Sequence, residues 1–155
     1  MRANSMCLAQ AVDVFCTGIV AGGFLIGALA VHPAAEALEP TSHLRLRHEL
    51  IRRLSRGWPP FMLLPIGAVP VALTWCRSAV SLPIDIVGLT LSVATVGITL
   101  GINAPLNQRF ARWTEGALPT DWHQQIRRWN TAHAMRTTTA VGAFACAIWA
   151  GGSSI

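Results

Sequence analysis

Residues 8–31 read LAQAVDVFCTGIVAGGFLIGALAV, an apolar run that a single charged residue, Asp13, interrupts. Crossing a bilayer takes about 20 mostly apolar residues, so this run predicts a transmembrane helix. A cleaved signal peptide is the alternative interpretation. Its apolar core spans only about 7–15 residues, which is shorter than this run. The sequence therefore favours a chain that is built in a membrane.

The composition of the whole chain supports the same interpretation. Of the 155 residues, 52% are hydrophobic and 12% are charged, whereas a soluble domain carries about 25% charged residues. So high an apolar content excludes a disordered tail. The net charge of +5 would favour nucleic acid as a partner of a soluble domain, but here the Arg residues lie between apolar runs. We therefore expect a lipid bilayer, and no nucleic acid, as a partner.

Four apolar stretches are long enough to span the membrane. They cover residues 8–31, 58–76, 84–103 and 132–151. We expect an all-α, membrane-embedded four-helix bundle that forms a single domain over residues 1–155. Pro65 and Pro70 predict that the second span is kinked or partly unwound, and Pro105 predicts that the end of the third helix opens.

Both long connectors contain helix signals. Thr41 and Ser42 can begin a short amphipathic helix that ends near Arg56 and lies along the anionic inner membrane surface. Its histidines, with His123 of the other connector, are expected to be exposed. The start signal at residues 119–121 predicts that the fourth helix begins near residue 121, well before the membrane.

The distribution of arginine predicts the orientation of the chain. Nine of the 12 basic residues lie on the two long connectors: Arg45, Arg47, Arg52, Arg53, Arg56, Arg109, Arg112, Arg127 and Arg128. The opposite side carries only Arg2 and Arg77. Under the positive-inside rule, both connectors face the cytoplasm and both termini lie outside a bacterial-type cytoplasmic membrane.

Polar side chains from three spans are predicted to meet at one depth. About 20 helical residues at 1.5 Å each cover the hydrocarbon core. Counted from the outer ends of spans one, three and four, this length brings His32, Asn103 and His133 to the inner boundary. Asn107, Trp129 and Arg136 lie within about one helical turn of these residues. An Arg inside a span is expected to face the bundle interior or a wet pocket. The predicted site at the cytoplasmic ends of spans one, three and four contains His32, Asn103, Asn107, Trp129, His133 and Arg136.

Each of these residues also has an ordinary structural interpretation. His32 can stand at a helix end in the interface, and Arg136 can extend to the inner headgroups. Asn103 and Asn107 can form hydrogen bonds between helices, and Trp129 can belong to an interfacial aromatic belt. The coincidence of all these groups at one level favours a functional site.

Small residues and cysteines point to packing. Gly18, Gly22, Gly23 and Gly27 form two small-xxx-small repeats, which predict close helix packing within the bundle or between copies in a homo-oligomer. Cys7 and Cys76 both lie on the predicted outer side, where a disulfide can form. The cysteine spacing matches no metal motif. The sequence also lacks the motifs of nucleotide-dependent enzymes and hydrolases.

Three segments resemble a known membrane family. They are GGFLIGALAVHP at residues 22–33, Asn103-Ala104-Pro105-Leu106-Asn107, and the W-x3-H-x2-R pattern of Trp129, His133 and Arg136. Together they resemble the small four-span family of anthrone oxygenases and their relatives. The resemblance covers nearly the whole chain, and its strongest part runs from Asn103 to Arg136.

The resemblance implies that O2 oxidises an activated aromatic or polycyclic substrate, as when an anthrone methylene becomes a quinone carbonyl. In such a site His133 or His32 would act as a base, Arg136 would stabilise the oxyanion, and Asn103 and Asn107 would orient substrate oxygens. Trp129 would form a flat apolar wall.

The cofactor and the function class stay open at this level. His32 and His133 are candidate ligands for haem or another metal, and cofactor-free oxidation is the next alternative. Two other functions compete with an oxygenase. The first is a non-catalytic membrane protein that binds haem or a small molecule, and the second is an oligomeric scaffold.

Overall fold

The chain is all-helical in the computed structural model, which describes residues 8–75 and 82–152 and contains no β-strand within them. The helices are α1 (Leu8–Glu36), α2 (Pro40–Gly57), α3 (Pro59–Trp75), α4 (Leu82–Phe110) and α5 (Trp122–Gly152). α1 packs against α3 and α5, and α4 packs against the same two helices, so four long helices form a ring. The all-α prediction is confirmed, and the predicted connector helix is present as α2.

Two of these helices are long and apolar enough to cross a membrane. Within the described residues they are α1 and α4, each 29 residues long. Only 28% of the most apolar window of α1 and 17% of that of α4 are buried inside the structure. Large apolar side chains, such as Leu29 on α1 and Leu100 on α4, therefore face outward. Such an outer surface is compatible with surrounding lipid.

Both α1 and α4 pass a proline by widening into a π-helical turn. The amide of His32 donates to the Gly27 carbonyl, and the amide of Ala104 donates to the Thr99 carbonyl, each five residues back. The π segments Gly27–Val31 and Thr99–Asn103 each end two residues before a proline. Because proline lacks an N–H and crowds the preceding turn, the wider turn lets the helix continue.

The structure corrects the expected helix ends and the expected opening of α4. α1 extends to Glu36 and α4 to Phe110, beyond the predicted ends at residues 31 and 103, and α4 does not open at Pro105. α3 stays helical across Pro65 and Pro70. α3 packs against both α1 and α4, so its neighbours support a helix that has lost two backbone hydrogen bonds.

The glycines of α1 allow close approach of other parts of the same chain. A Cβ atom on Gly18 would lie 3.0 Å from the Phe144 ring, and one on Gly23 would overlap the Trp58 indole. A Cβ atom on Gly22 would meet nothing within 4 Å. Packing within the bundle therefore accounts for Gly18 and Gly23. A homo-oligomer through the glycine face stays a prediction.

α2 packs against the C-terminal ends of α1 and α4 and lies at one end of the ring. His43, Leu44 and Arg47 of α2 are buried, which corrects the expectation that His43 is exposed. His48 is half-buried, and its Nε2 lies 2.8 Å from the Phe110 backbone oxygen. His123 is exposed, as expected.

Arginines of α2 form ion pairs on the protein surface. Arg45 forms an ion pair with Glu115 at 2.6 Å, which ties α2 to the connector before α5. Arg52 and Arg53 both pair with Glu49 of the same helix. The described cysteines, Cys16 and Cys146, are free thiols. Cys7 and Cys76, between which the sequence leaves a disulfide open, and the arginines Arg2 and Arg77 lie outside the described residues.

The glycine contacts generate a stability prediction with a matched control. We expect Gly23→Ala to destabilise the protein by about 1–3 kcal/mol, because the added methyl group overlaps the Trp58 ring and forces repacking. Gly22→Ala, one residue away on the same helix, should leave stability unchanged or raise it. Thermal unfolding of the detergent-purified variants measures the difference. Equal melting temperatures for the two variants would contradict the packing of Trp58 against α1.

Candidate functional site

His133 lies at the centre of the predicted site and is 3% exposed. Its Nε2 lies 3.1 Å from the Phe24 backbone oxygen, and because a carbonyl only accepts, Nε2–H is the donor. Its Nδ1 accepts from Nε and Nη2 of Arg136 at 3.0 and 2.9 Å. A neutral imidazole offers one donor and one acceptor nitrogen. Both nitrogens of His133 are therefore already engaged by the protein.

Arg136 is buried and has no carboxylate partner among the described residues. Its Nη1 lies 3.5 Å from the Thr99 hydroxyl, and its Cζ lies 4.4 Å from the Phe24 ring centroid and 5.3 Å from that of Trp129. The ion pairs of the described residues do not include it. An extension of Arg136 to the headgroups is not observed, since the side chain is only 8% exposed. Its guanidinium contacts neutral hydrogen-bond acceptors and aromatic faces instead.

His32 follows the π segment of α1 and contacts the other rings edge to face. Its ring centroid lies 4.4 Å from that of His133 and 4.7 Å from that of Trp129. A Cβ atom on Gly27 would lie 2.9 Å from Nε2 of His133 and 3.3 Å from Nε2 of His32, so glycine leaves the room that both imidazoles need. Within the described residues, the His32 ring makes aromatic contacts but no hydrogen bond.

Two asparagines of α4 connect this helix to Trp129 of α5. Nδ2 of Asn103 donates to the Trp129 backbone oxygen at 3.2 Å, and the indole Nε1 of Trp129 donates to Oδ1 of Asn107 at 2.8 Å. Both asparagines thus form hydrogen bonds between helices, which is the ordinary structural role that their sequence positions also allow. Asn103 is 0% exposed, and its Oδ1 finds no hydrogen-bond partner among the described residues. The site therefore retains one buried acceptor.

Arg47, one of the connector arginines, is a further residue of this cluster. It is 7% exposed, and its Cζ lies 4.6 Å from the Trp129 ring centroid and 4.9 Å from that of Phe110. A signal was present in the sequence, because His43, Leu44 and Arg47 share one helix face. The burial of Arg47 is not expected from the sequence, because an amphipathic helix normally places its arginines toward water or headgroups.

Burial lowers the pKa values of Arg47 and of its neighbour His43. Burial lowers the pKa of Arg47 to about 10, and the Glu36 carboxylate acts in the opposite direction. Burial, followed by the positive charge of Arg47, lowers the pKa of His43. At neutral pH, Arg47 is therefore a buried cation, and His43, whose Nε2 lies 3.4 Å from Nε of Arg47, is neutral.

The structure brings all six predicted site residues into one connected cluster. His32, Trp129 and His133 contact one another, and Trp129 stacks on His133 at 5.1 Å with an interplanar angle of 10°. Arg136 joins this set through His133, and the two asparagines join through Trp129. Arg47 adds a second cation from α2. This arrangement can place an anion beside aromatic walls, and the roles of the individual residues stay predictions.

The arrangement does not fit a metal ion held jointly by His32 and His133. A ligating imidazole needs a free lone pair, and Nδ1 of His133 directs its lone pair at Arg136 while Nε2 carries a hydrogen. Within the described residues, no group of three or more His, Cys, Asp or Glu side chains could hold a metal ion. We therefore assign no chemical step to a metal or haem at this pair.

The cluster is closely packed. A core cavity of about 20 Å³ is lined by residues such as Val20, Met62 and Ala140, and it is too small for an aromatic substrate. A larger groove of about 660 Å³ lies on the outer surface between α1 and α3. Neither of these two cavities is lined by a predicted site residue.

A protein-family model matches more than half of the chain. Residues 48–146 match the family model described as anthrone oxygenase. The chain belongs to the anthrone oxygenase family. The family resemblance seen in the sequence is thereby confirmed, and the matched range contains every predicted site residue except His32. No curated protein and no solved structure matches the chain.

The hydrogen bonds of His133 generate a spectroscopic prediction for this anthrone oxygenase family member. We expect His133→Ala to leave the ultraviolet–visible spectrum and the iron and copper content of the detergent-purified protein unchanged, because His133 has no lone pair to offer a metal. His32→Ala is the matched variant, because it removes the imidazole that contacts His133. A Soret band that is present in the unaltered protein and lost in His133→Ala would contradict this arrangement.

Proposed function

We propose that the protein is a membrane-embedded oxygenase that uses O2 to oxidise an activated aromatic or polycyclic, anthrone-like small molecule. Membership of the anthrone oxygenase family supports the oxidoreductase class. The observation that carries the proposal is the buried guanidinium of Arg136, which faces aromatic rings and an imidazole and has no carboxylate partner among the described residues. Such a group is suited to an anion that forms during a reaction.

The proposed reaction balances without a separate reductant. A methylene group of the substrate and one O2 give a carbonyl group and one water, so that R2CH2 + O2 becomes R2C=O + H2O. The two C–H bonds supply the electrons that reduce the oxygen. One oxygen atom stays in the product, and the other leaves in water with both hydrogens. The substrate therefore needs activation as an anion, which the residues of the site can favour.

We assign the base to His32 and the stabilisation of charge to Arg136. His32 is the imidazole whose nitrogens form no hydrogen bond with the described residues, so it can accept the methylene or phenol proton. The anion that forms spreads its charge onto an oxygen, and the Arg136 guanidinium would bind that oxyanion. His133 is then a positioning residue, because its Nδ1 holds the guanidinium in place.

The polar groups of α4 are suited to a phenolic substrate. Oδ1 of Asn103 is a buried acceptor, and a buried acceptor without a partner costs about 1–3 kcal/mol. A substrate hydroxyl that donates to this oxygen would remove that cost. Asn107 fixes the indole of Trp129 by a hydrogen bond, and a substrate ring that displaces the groups packed on this indole would find a flat apolar surface of fixed orientation. These contacts favour an aromatic substrate that carries a hydroxyl group.

We further propose that all four helices of the ring cross the membrane, with α2 on the cytoplasmic surface and both termini outside. Nine connector arginines and the apolar outer faces of α1 and α4 support this topology. Single cysteines in a cysteine-free background test it. A membrane-impermeant maleimide should label Gly152→Cys in intact cells and Thr120→Cys only after permeabilisation. The reverse pattern would overturn the orientation.

Oxygen consumption with an anthrone tests the proposed activity. We expect the purified protein to consume one O2 per methylene oxidised. Arg136→Ala should lower kcat by about 100-fold or more, since removal of one oxyanion-binding donor costs about that factor. Arg128→Ala, an exposed arginine on the same helix, is the matched control and should keep full activity. Full activity of Arg136→Ala would remove Arg136 from the reaction.

Two further variants in the same assay separate the histidines. His32→Gln removes the proposed base and should lose activity as severely as Arg136→Ala. His133→Asn retains an acceptor near the position of Nδ1, so it should keep more activity than His133→Leu. Equal loss in these two variants would show that His133 does more than position Arg136. A ligand that is retained without turnover by the unaltered protein would instead indicate a non-catalytic binding protein.

A further inference from the structure

Arg47 differs from the other arginines of α2 in its burial and in its contacts. Arg45, Arg52 and Arg53 pair with glutamates on the protein surface. Arg47 is buried, and its guanidinium lies over the Trp129 and Phe110 rings. Its hydrogen-bond partner is a neutral imidazole nitrogen of His43 at 3.4 Å. A buried guanidinium is costly unless an anion accompanies it.

The described residues around Arg47 do not supply that anion. The charge of Glu36 acts on Arg47 from a distance, but the two side chains form no ion pair within 4.0 Å. Glu36 is exposed and accepts a hydrogen bond from Asn130 instead. The second cation of the cluster, Arg136, likewise forms no ion pair with a described carboxylate. Two buried cations thus flank the same indole, that of Trp129.

We infer that Arg47 binds a carboxylate carried by the aromatic substrate, at a position separate from the oxyanion that Arg136 stabilises. The inference rests on the proposed function for the presence of an aromatic substrate. A guanidinium matches a carboxylate with two parallel hydrogen bonds, so it recognises this group better than a neutral substituent. Because the guanidinium of Arg47 contacts Trp129 and Phe110, a substrate ring that packs beside these two side chains places its substituent near Arg47. A lipid phosphate fits less well, since the guanidinium faces the cluster.

Binding of two non-reactive probes tests this inference without turnover. The probes are anthracene and anthracene-2-carboxylate, measured by equilibrium dialysis against the full-length protein in one detergent. We expect Arg47→Gln to weaken binding of the carboxylate by about 10-fold or more, the factor that corresponds to a charge-assisted hydrogen bond. Binding of anthracene should change by less than about 3-fold. Arg56→Gln, an exposed arginine of the same helix, should change neither.

The outcomes distinguish this inference from the proposed function. Equal weakening of both probes in Arg47→Gln would show that Arg47 only supports the fold of the cluster, and it would overturn the inference. Unchanged binding of the carboxylate would overturn it as well. Should Arg47→Gln fail to fold, Arg47→Lys keeps the charge but loses the two-point contact, so a selective loss of carboxylate binding is still expected. Selective loss in a protein that consumes no O2 would support Arg47 while contradicting the oxygenase.

Discussion

The hydrogen bonds between the Arg136 guanidinium and Nδ1 of His133 set the chemistry of the whole cluster. They bring a cation into the bundle without a carboxylate among the described residues, and they fix His133 as the tautomer that donates from Nε2 to the Phe24 carbonyl. Both nitrogens of His133 are thereby engaged, whereas the ring of His32 forms no hydrogen bond with the described residues. In the proposed function, His133 orients the Arg136 charge and His32 retains a lone pair for the substrate proton.

This arrangement depends on close approach between α1 and α5. The imidazoles of His32 and His133 both pack against Gly27 of α1, which has no side chain. A Cβ atom at this position would lie 2.9 Å from Nε2 of His133. Asn103 holds α4 against the Trp129 backbone from the opposite side. The site thus uses the same small residues and interhelical hydrogen bonds that stabilise helix packing in membranes. In this cluster, the atoms that pack the helices together are also those to which the proposed function assigns a role.

Much of this cluster could be predicted from the sequence because helix periodicity and a count of residues per span are local rules. Trp129, His133 and Arg136 share a face by spacing alone, and Asn103 and His32 meet them by depth. Arg47 was not predicted, because its burial depends on how α2 lies across the ends of α1 and α4. The engagement of both His133 nitrogens was also hidden, since Phe24 is 109 residues away in sequence and contributes a backbone oxygen.

The π turns of α1 and α4 carry a consequence for side-chain register. A π turn holds one residue more than an α turn, so the helix beyond it is rotated by about 100° relative to an uninterrupted α-helix. The extra residue in Gly27–Val31 and in Thr99–Asn103 therefore decides which side chains after each turn face the bundle. In evolutionary terms, each turn behaves as a one-residue insertion. A compensating deletion would restore a regular helix and turn His32 or Asn107 to a different neighbour.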